Sequence, residues 1–161
     1  MGAKASMRAW TGGLLALFII GIIGCEMPEI TPAKGPRMVG LDIGQLVPIY
    51  NSRLVLHGLR LQVYAKDIFQ ASIRVPGTIK VAVYEFAPLE PYGKGDLVDT
   101  WELPPEKTAS AWDPGLYGYN IYLKWRDERP KGPHVTVEVT FTTLERETFQ
   151  AVSFGISIRG E

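Results

Sequence analysis

Five stretches of this chain alternate apolar and polar residues with a period of two, and that rhythm is what most narrows its fold. Leu59, Leu61 and Val63 alternate with Arg60, Gln62 and Tyr64. Ile79, Val81 and Val83 alternate with Lys80, Ala82 and Tyr84. Tyr119, Ile121, Leu123 and Trp125 alternate with Asn120, Tyr122, Lys124 and Arg126. Val135, Val137, Val139 and Phe141 alternate with Thr136, Glu138, Thr140 and Thr142, and Val152, Phe154, Ile156 and Ile158 with Ser153, Gly155, Ser157 and Arg159. Successive side chains of a strand point to opposite faces, so each stretch carries one apolar and one polar face. Such strands suit antiparallel sheets with one side on a core. Gln45–Tyr50 and Leu97–Leu103 are weaker strand candidates.

Turn residues punctuate the strands. Val75-Pro76-Gly77-Thr78 fits a type II turn, with Pro setting φ and Gly accepting a positive one. Pro130-Lys131-Gly132-Pro133 separates two strands, and Leu144-Glu145-Arg146-Glu147 fits a hairpin tip. One short helix is predicted from Pro105, at its first turn, through Ala111, with Asp113-Pro114-Gly115 ending it. No long helical segments separate the strands, which argues against a parallel α/β sheet. The expected fold is all-β: a single antiparallel β-sandwich, immunoglobulin-like or C2-like, of about seven strands, with a closed barrel as the alternative. A membrane barrel is excluded because one soluble core absorbs all the apolar faces and the strand number is low and odd. The domain is expected over 41–161, long enough to bury a core without disulfides.

Charge and motif content exclude more than they assign. The chain holds 17 basic and 17 acidic residues with no basic run, so nucleic acid has no electrostatic footprint. His57 and His134 lie 77 residues apart in strand-end contexts, without metal-ligand spacing. No Gly-x-Ser-x-Gly elbow exists, and Gly93-Lys94-Gly95-Asp96 lacks the length and the Lys-Ser/Thr of a phosphate loop. Glu85 and Glu90 are one carboxylate pair among many, and Asp96, Asp99 and Asp113 are scattered for a calcium site. No catalytic residue, metal ligand or cofactor is therefore assigned. Trp101, Trp112, Tyr117, Tyr119, Tyr122 and Trp125 crowd one segment. Alternation places Tyr119 and Trp125 on one face and Tyr122 on the other, so Trp101 and Trp125 read as core. Tyr92, in a Gly-Pro loop, and Trp112, beside a Pro-Gly turn, are the residues expected to form an exposed contact surface.

The first 25 residues carry a different message. Lys4 and Arg8 form a positive region, and Trp10 to Ile23 is a 14-residue run without charge. That is the layout of a secretory signal; a spanning helix needs about 20 apolar residues. Met1 and Met7 both serve as starts for it. Met1-Gly2-Ala3-Lys4-Ala5-Ser6 also fits a myristoylation pattern, but that leaves the apolar run unexplained. The run ends in Ile22-Ile23-Gly24-Cys25, which contains the only cysteine of the chain. This tetrapeptide resembles the lipobox of bacterial lipoproteins, a likeness confined to residues 8–26. The resemblance implies cleavage between Gly24 and Cys25, and diacylglycerol on the Cys25 thiol with acylation, palmitate-like, of its amine. Several acyl chains hold a protein on a membrane stably, where one does so only marginally. Glu26 follows, not the Asp that signals inner-membrane retention in Gram-negative families, so the resemblance points to the outer membrane where one exists.

Residues 25–40 then read as a lipid-anchored Pro/Gly-rich tether, with three prolines and two glycines between Glu26 and Gly40. Removing Lys4 and Arg8 with the leader leaves 15 basic against 17 acidic residues, giving no broad attraction to anionic lipid. The expectation is a lipoprotein of the cell envelope with a non-enzymatic binding or structural domain. Its partners would be the membrane through Cys25 and an envelope protein or glycan. The alternatives are a subunit of an envelope assembly or secretion complex, and a lipid-anchored hydrolase.

Overall fold

A computed structural model describes residues 36–126 and 128–158. Eight strands are present: β1 (Gly40–Tyr50), β2 (Leu56–Lys66), β3 (Gly77–Phe86), β4 (Lys94–Leu103), β5 (Trp112–Asp113), β6 (Gly118–Lys124), β7 (His134–Thr143) and β8 (Thr148–Ser157). One helix, α1 (Pro105–Ala111), separates β4 from β5. The strands form two antiparallel sheets, ordered β1-β2-β6-β5 and β4-β3-β7-β8, and neither closes into a barrel. The protein is thus an all-β sandwich, and the five alternating stretches and the two weaker candidates all fall on strands.

Alternation builds the core. Leu59, Leu61 and Val63 of β2 and Tyr119, Ile121 and Leu123 of β6 face Ile79, Val81 and Val83 of β3 and Val135, Val137, Val139 and Phe141 of β7. All are at most 2 % exposed. Each buried Val, Leu, Ile or Phe contributes about 1.5–3 kcal/mol. Trp125 is buried and Trp101 is packed against the core, their rings 5.4 Å apart.

The sheets are tied at one end by Tyr119. Its ring is fully buried against Phe141 at 5.7 Å. Its hydroxyl donates to the Val75 carbonyl and accepts from the Val75 N–H, each at 2.7 Å. Burial raises its pKa above the usual tyrosine value, against smaller lowering effects from the Val75 amide and Arg74, so the phenol stays neutral.

Four details differ from the sequence expectations, each for a local reason. Gly77 is not a turn residue with positive φ; it opens β3, opposite Thr143. A Cβ there would lie 2.5 Å from both Phe141 Cε1 and the Thr142 carbonyl oxygen, so close approach, not turn geometry, requires the glycine. In β8, Gly155 sits at φ 67° and inserts an extra residue between the pairs Val137↔Ser153 and Val135↔Ile156. This bulge flips the phase. Phe149, Ala151 and Ile156 pack on the core, while Val152 and Phe154, expected inside, face out, and Phe154 is 64 % exposed. The sequence places Met38 in the tether, yet it is only 2 % exposed, and the Val39 N–H donates to the Lys66 carbonyl at 2.7 Å. The packed chain therefore starts by Met38. Finally, Trp112 and Asp113 add a two-residue strand directly after α1.

Replacing Tyr119 by Phe keeps the ring packing but strips the Val75 N–H and carbonyl of their partner. We expect a loss of about 1–3 kcal/mol of stability, read from urea unfolding with an unchanged m-value.

Candidate interaction surface

The residues nominated by sequence separate in space. Gly24 and Cys25 lie outside the described residues. Tyr92 sits in a 3-10 turn (Pro91–Gly93) between β3 and β4, at φ 56° and 71 % exposed, with Lys94 Nζ 5.9 Å from its ring. Trp112 is not an exposed contact residue: it is half-buried, edge-on to Tyr119 with ring centroids 5.2 Å apart. The β5–β6 pairing sets Trp112 opposite Tyr119, and this draws its ring onto the core. Tyr92 stands where β3 finishes and Trp112 near where β3 begins, so the two form no common surface.

The sandwich is closed along one side and open along the other. On the closed side β1 lies against β8, and the Tyr50 hydroxyl donates to the Ile158 carbonyl at 2.5 Å. On the open side β4 is a sheet edge, and β6 is covered by β5 only at Gly118 and Tyr119. A groove of about 520 Å³ opens at the end where the chain enters, between Arg37, Met38, Pro76 and Leu144, and Pro36 forms part of its rim. A second groove, of about 460 Å³, lies along the open side between Trp101, Leu103, Ala111, Asn120, Tyr122 and Arg126. The smaller groove is the better candidate because three features converge there.

The first feature is an unpaired backbone edge. The Trp125 N–H donates to the His57 carbonyl, so antiparallel alternation turns Leu123 and Ile121 toward β2 and Tyr122 outward. Among the described residues no strand pairs with Tyr122 on that side. The second feature is the mixed lining: a 66 % exposed Tyr122 beside the apolar walls of Trp101, Leu103 and Ala111. The third is Asn120 Oδ1, buried without a hydrogen-bond partner. A buried acceptor left unpaired costs about 1–3 kcal/mol, which a donor arriving in the groove would recover. Asn120 and Tyr122 escape sequence reasoning because they sit on the polar side of a strand that reads as ordinary. An aromatic residue on that side was the one signal available.

One end of the groove is pinned. The Trp101 indole donates to the Lys124 carbonyl at 3.1 Å. Asp99 Oδ1 accepts from Arg126 Nε at 3.1 Å and Nη2 at 2.5 Å, and from the Thr100 N–H at 2.7 Å. Burial of the Asp99 carboxyl raises its pKa, but the hydrogen bonds from Arg126, Thr100 and the Arg126 backbone, with the guanidinium charge, together hold it below the usual carboxylate range. This pair bridges β4 and the segment after β6, fixing the width of the groove.

The other polar residues have structural partners or stand apart. Glu85 accepts from the backbone N–H groups of Lys131 and Gly132. Of the aspartates considered for calcium, Asp96 and Asp99 lie on β4 and Asp113 on β5; Asp113 accepts from Gly115 N–H at 2.8 Å, and Asp99 is engaged by Arg126. Among the described residues no three His, Cys, Asp or Glu side chains converge to hold a metal ion. His57 is half-buried at the start of β2, and His134 is exposed, edge-on to Phe86 at 6.2 Å. Neither lines the two grooves. Among the described residues no helix is long and apolar enough to cross a membrane. No protein-family model matches the chain, and neither a curated protein nor a solved structure matches it.

The Asp99 bridge predicts a pH signature. A carboxyl whose folded pKa is depressed adds stability above its unfolded pKa of about 4, and that stability is lost as pH falls through the lower folded value. Asp99→Asn should therefore lower stability at pH 7 and flatten the acid limb below about pH 4. Urea midpoints across pH 2–7 check this; an acid limb unchanged by the substitution would contradict it.

Proposed function

We propose that the protein is a bacterial lipoprotein, anchored in the cell envelope through lipid on Cys25, whose sandwich domain acts as a non-enzymatic binding module. The anchoring half rests on Cys25 closing a charged-then-apolar leader. The binding half rests on the unpaired β6 edge at Tyr122 beside the apolar groove. Unpaired strand edges accept an extended polypeptide, with main-chain bonds giving affinity and side-chain pockets giving specificity. This favours a protein partner over a glycan, and with it a role as a subunit of an envelope assembly. A hydrolase role has less support, because Asp99 and Glu85 are engaged by Arg126 and by backbone amides. The resemblance supports a location outside the cytoplasm, and Glu26 favours the outer over the inner membrane in a Gram-negative cell.

Two expected outcomes follow. Cys25→Ser should leave an uncleaved or soluble precursor while the domain still folds; fractionation with near-UV circular dichroism reads both, and wild-type lipid labelling of that variant would sink the anchor. A photo-crosslinking amino acid in place of Tyr122 should trap a discrete protein adduct in native membranes, whereas the same residue at Lys80, on the outer face of β3, should not. Equal adducts at both positions, or at neither, would remove the groove from the binding role.

A further inference from the structure

The end of the sandwich where the chain enters presents an apolar surface of its own. Pro36 and Arg37 lie there, the Arg37 guanidinium pairing with Glu147 in the β7–β8 turn. Three connections emerge at the same end: 67–76 after β2, 114–117 before β6, and 144–147 after β7. Their common location follows from Gly40↔Lys66, Val63↔Tyr119 and Gly77↔Thr143, and from the Tyr119–Val75 hydrogen bonds that join the two sheets there.

Each tip carries a large apolar side chain held outward. Ile68 and Phe69 are 68 % and 82 % exposed, Leu116 and Tyr117 are 40 % and 67 % exposed, and Leu144 is 64 % exposed. These loops are braced at their bases. Asp67 Oδ1 accepts from the Phe69 and Ala71 N–H groups, each at 2.9 Å. Asp113 Oδ1 accepts from Gly115, and Thr143 Oγ1 accepts from Glu147 N–H at 3.2 Å. Gln70, Tyr117 and Arg146 adopt positive φ, a conformation that costs a non-glycine residue free energy. The tips are thus presented on fixed turns, and the apolar side chains sit at their outer ends.

We infer that these three loop tips seat in the interfacial region of the lipid bilayer and set the orientation of the domain on the membrane. The inference rests on the proposed anchoring through Cys25. From Cys25 to Pro36 is 11 residues, which span at most about 40 Å. The chain therefore joins the domain at this end and keeps it within that distance of the lipid. A ten-residue strand is about 34 Å long, so the opposite end lies that much farther from the point where the chain enters. That end also exposes apolar side chains, Leu54 at 84 % and Leu89 at 98 %, and these provide the internal control. Arg37, Arg74 and Arg146 share the chain-entry end with Asp67, Asp113, Glu145 and Glu147. The charge is mixed, so the contact is apolar and requires no anionic lipid.

The test uses the full-length, processed protein in vesicles of neutral phosphatidylcholine. Single cysteines at Phe69, Tyr117 and Leu144, and at Leu54 and Leu89 as controls, carry an environment-sensitive fluorophore; Cys25, once alkylated by lipid, does not react. All five positions are exposed, so the substitutions spare the core. Lipids spin-labelled high on the acyl chain should remove about half of the fluorescence at 69, 117 and 144, where burial of 5–10 Å is expected, and leave 54 and 89 unchanged. Equal quenching at both ends would overturn the inference, as would its absence from 69, 117 and 144. Protection of those three from aqueous iodide only in native membranes would overturn it in favour of a protein neighbour. Intact mass of the same samples separates the two failures. Unquenched tips on lipidated protein reject the orientation and leave the anchor standing, whereas protein without lipid on Cys25 rejects both.

Discussion

The Tyr119 hydroxyl holds the two sheets in register. It satisfies both backbone groups of Val75 in the segment leading into β3, while its ring lies between Phe141 and Trp112. A sandwich core of Val, Leu and Ile is non-directional: it rewards burial without fixing how one sheet sits on the other. A buried phenol is directional, because leaving its hydroxyl unpaired costs about as much as a large core contact contributes. Once Tyr119 meets Val75, the crossover from β2 to β3 is fixed and β3 starts against the end of β7. Gly77 can then approach Phe141 closely enough to exclude any Cβ. At the far side the Tyr50–Ile158 contact closes β1 on β8.

This closure leaves the molecule with distinct directions. One end receives the chain and exposes braced apolar tips. The opposite end bears the β3–β4 and β6–β7 connections, including Tyr92. The side between β4 and β6 stays open because β5 is only two residues long and the residues before it form α1 rather than more strand. Trp101, Asp99 and Arg126 then tie the two edges to each other at one end of the groove. A partner strand approaching that side would meet backbone at Tyr122 and an unsatisfied acceptor at Asn120 without contacting the end where the chain enters. The proposed anchoring, orientation and binding would thus use different surfaces of one small core.

Much of the fold is legible in the sequence because alternation is a direct projection of burial. The runs at Leu59, Ile79, Tyr119 and Val135 each map onto a strand with the expected face inside. The short helix at Pro105 is equally readable from its proline and the Asp-Pro-Gly that follows. The exceptions are residues whose role depends on a distant neighbour. Gly155 carries no local mark that it will adopt positive φ, yet it reverses Val152 and Phe154. Met38 reads as tether because three prolines surround its segment, while its burial is decided by β2 and β7. Trp112 reads as exposed from its turn and is drawn inward by Tyr119, 7 positions later in the sequence. The open groove was illegible for the same reason: Asn120 and Tyr122 are unremarkable until β5 proves too short to cover them.

The proposed orientation of the domain depends on Cys25 delivering this sandwich to a membrane. The most direct measurement is intact mass of the protein from the membrane fraction of an expressing bacterium, with and without an inhibitor of lipoprotein signal peptidase. A species beginning at Cys25 and carrying two or three acyl chains, replaced under inhibitor by a precursor with its leader still attached, is the predicted result. An unmodified full-length mass under both conditions would contradict the account and remove the anchor on which the orientation of the domain depends.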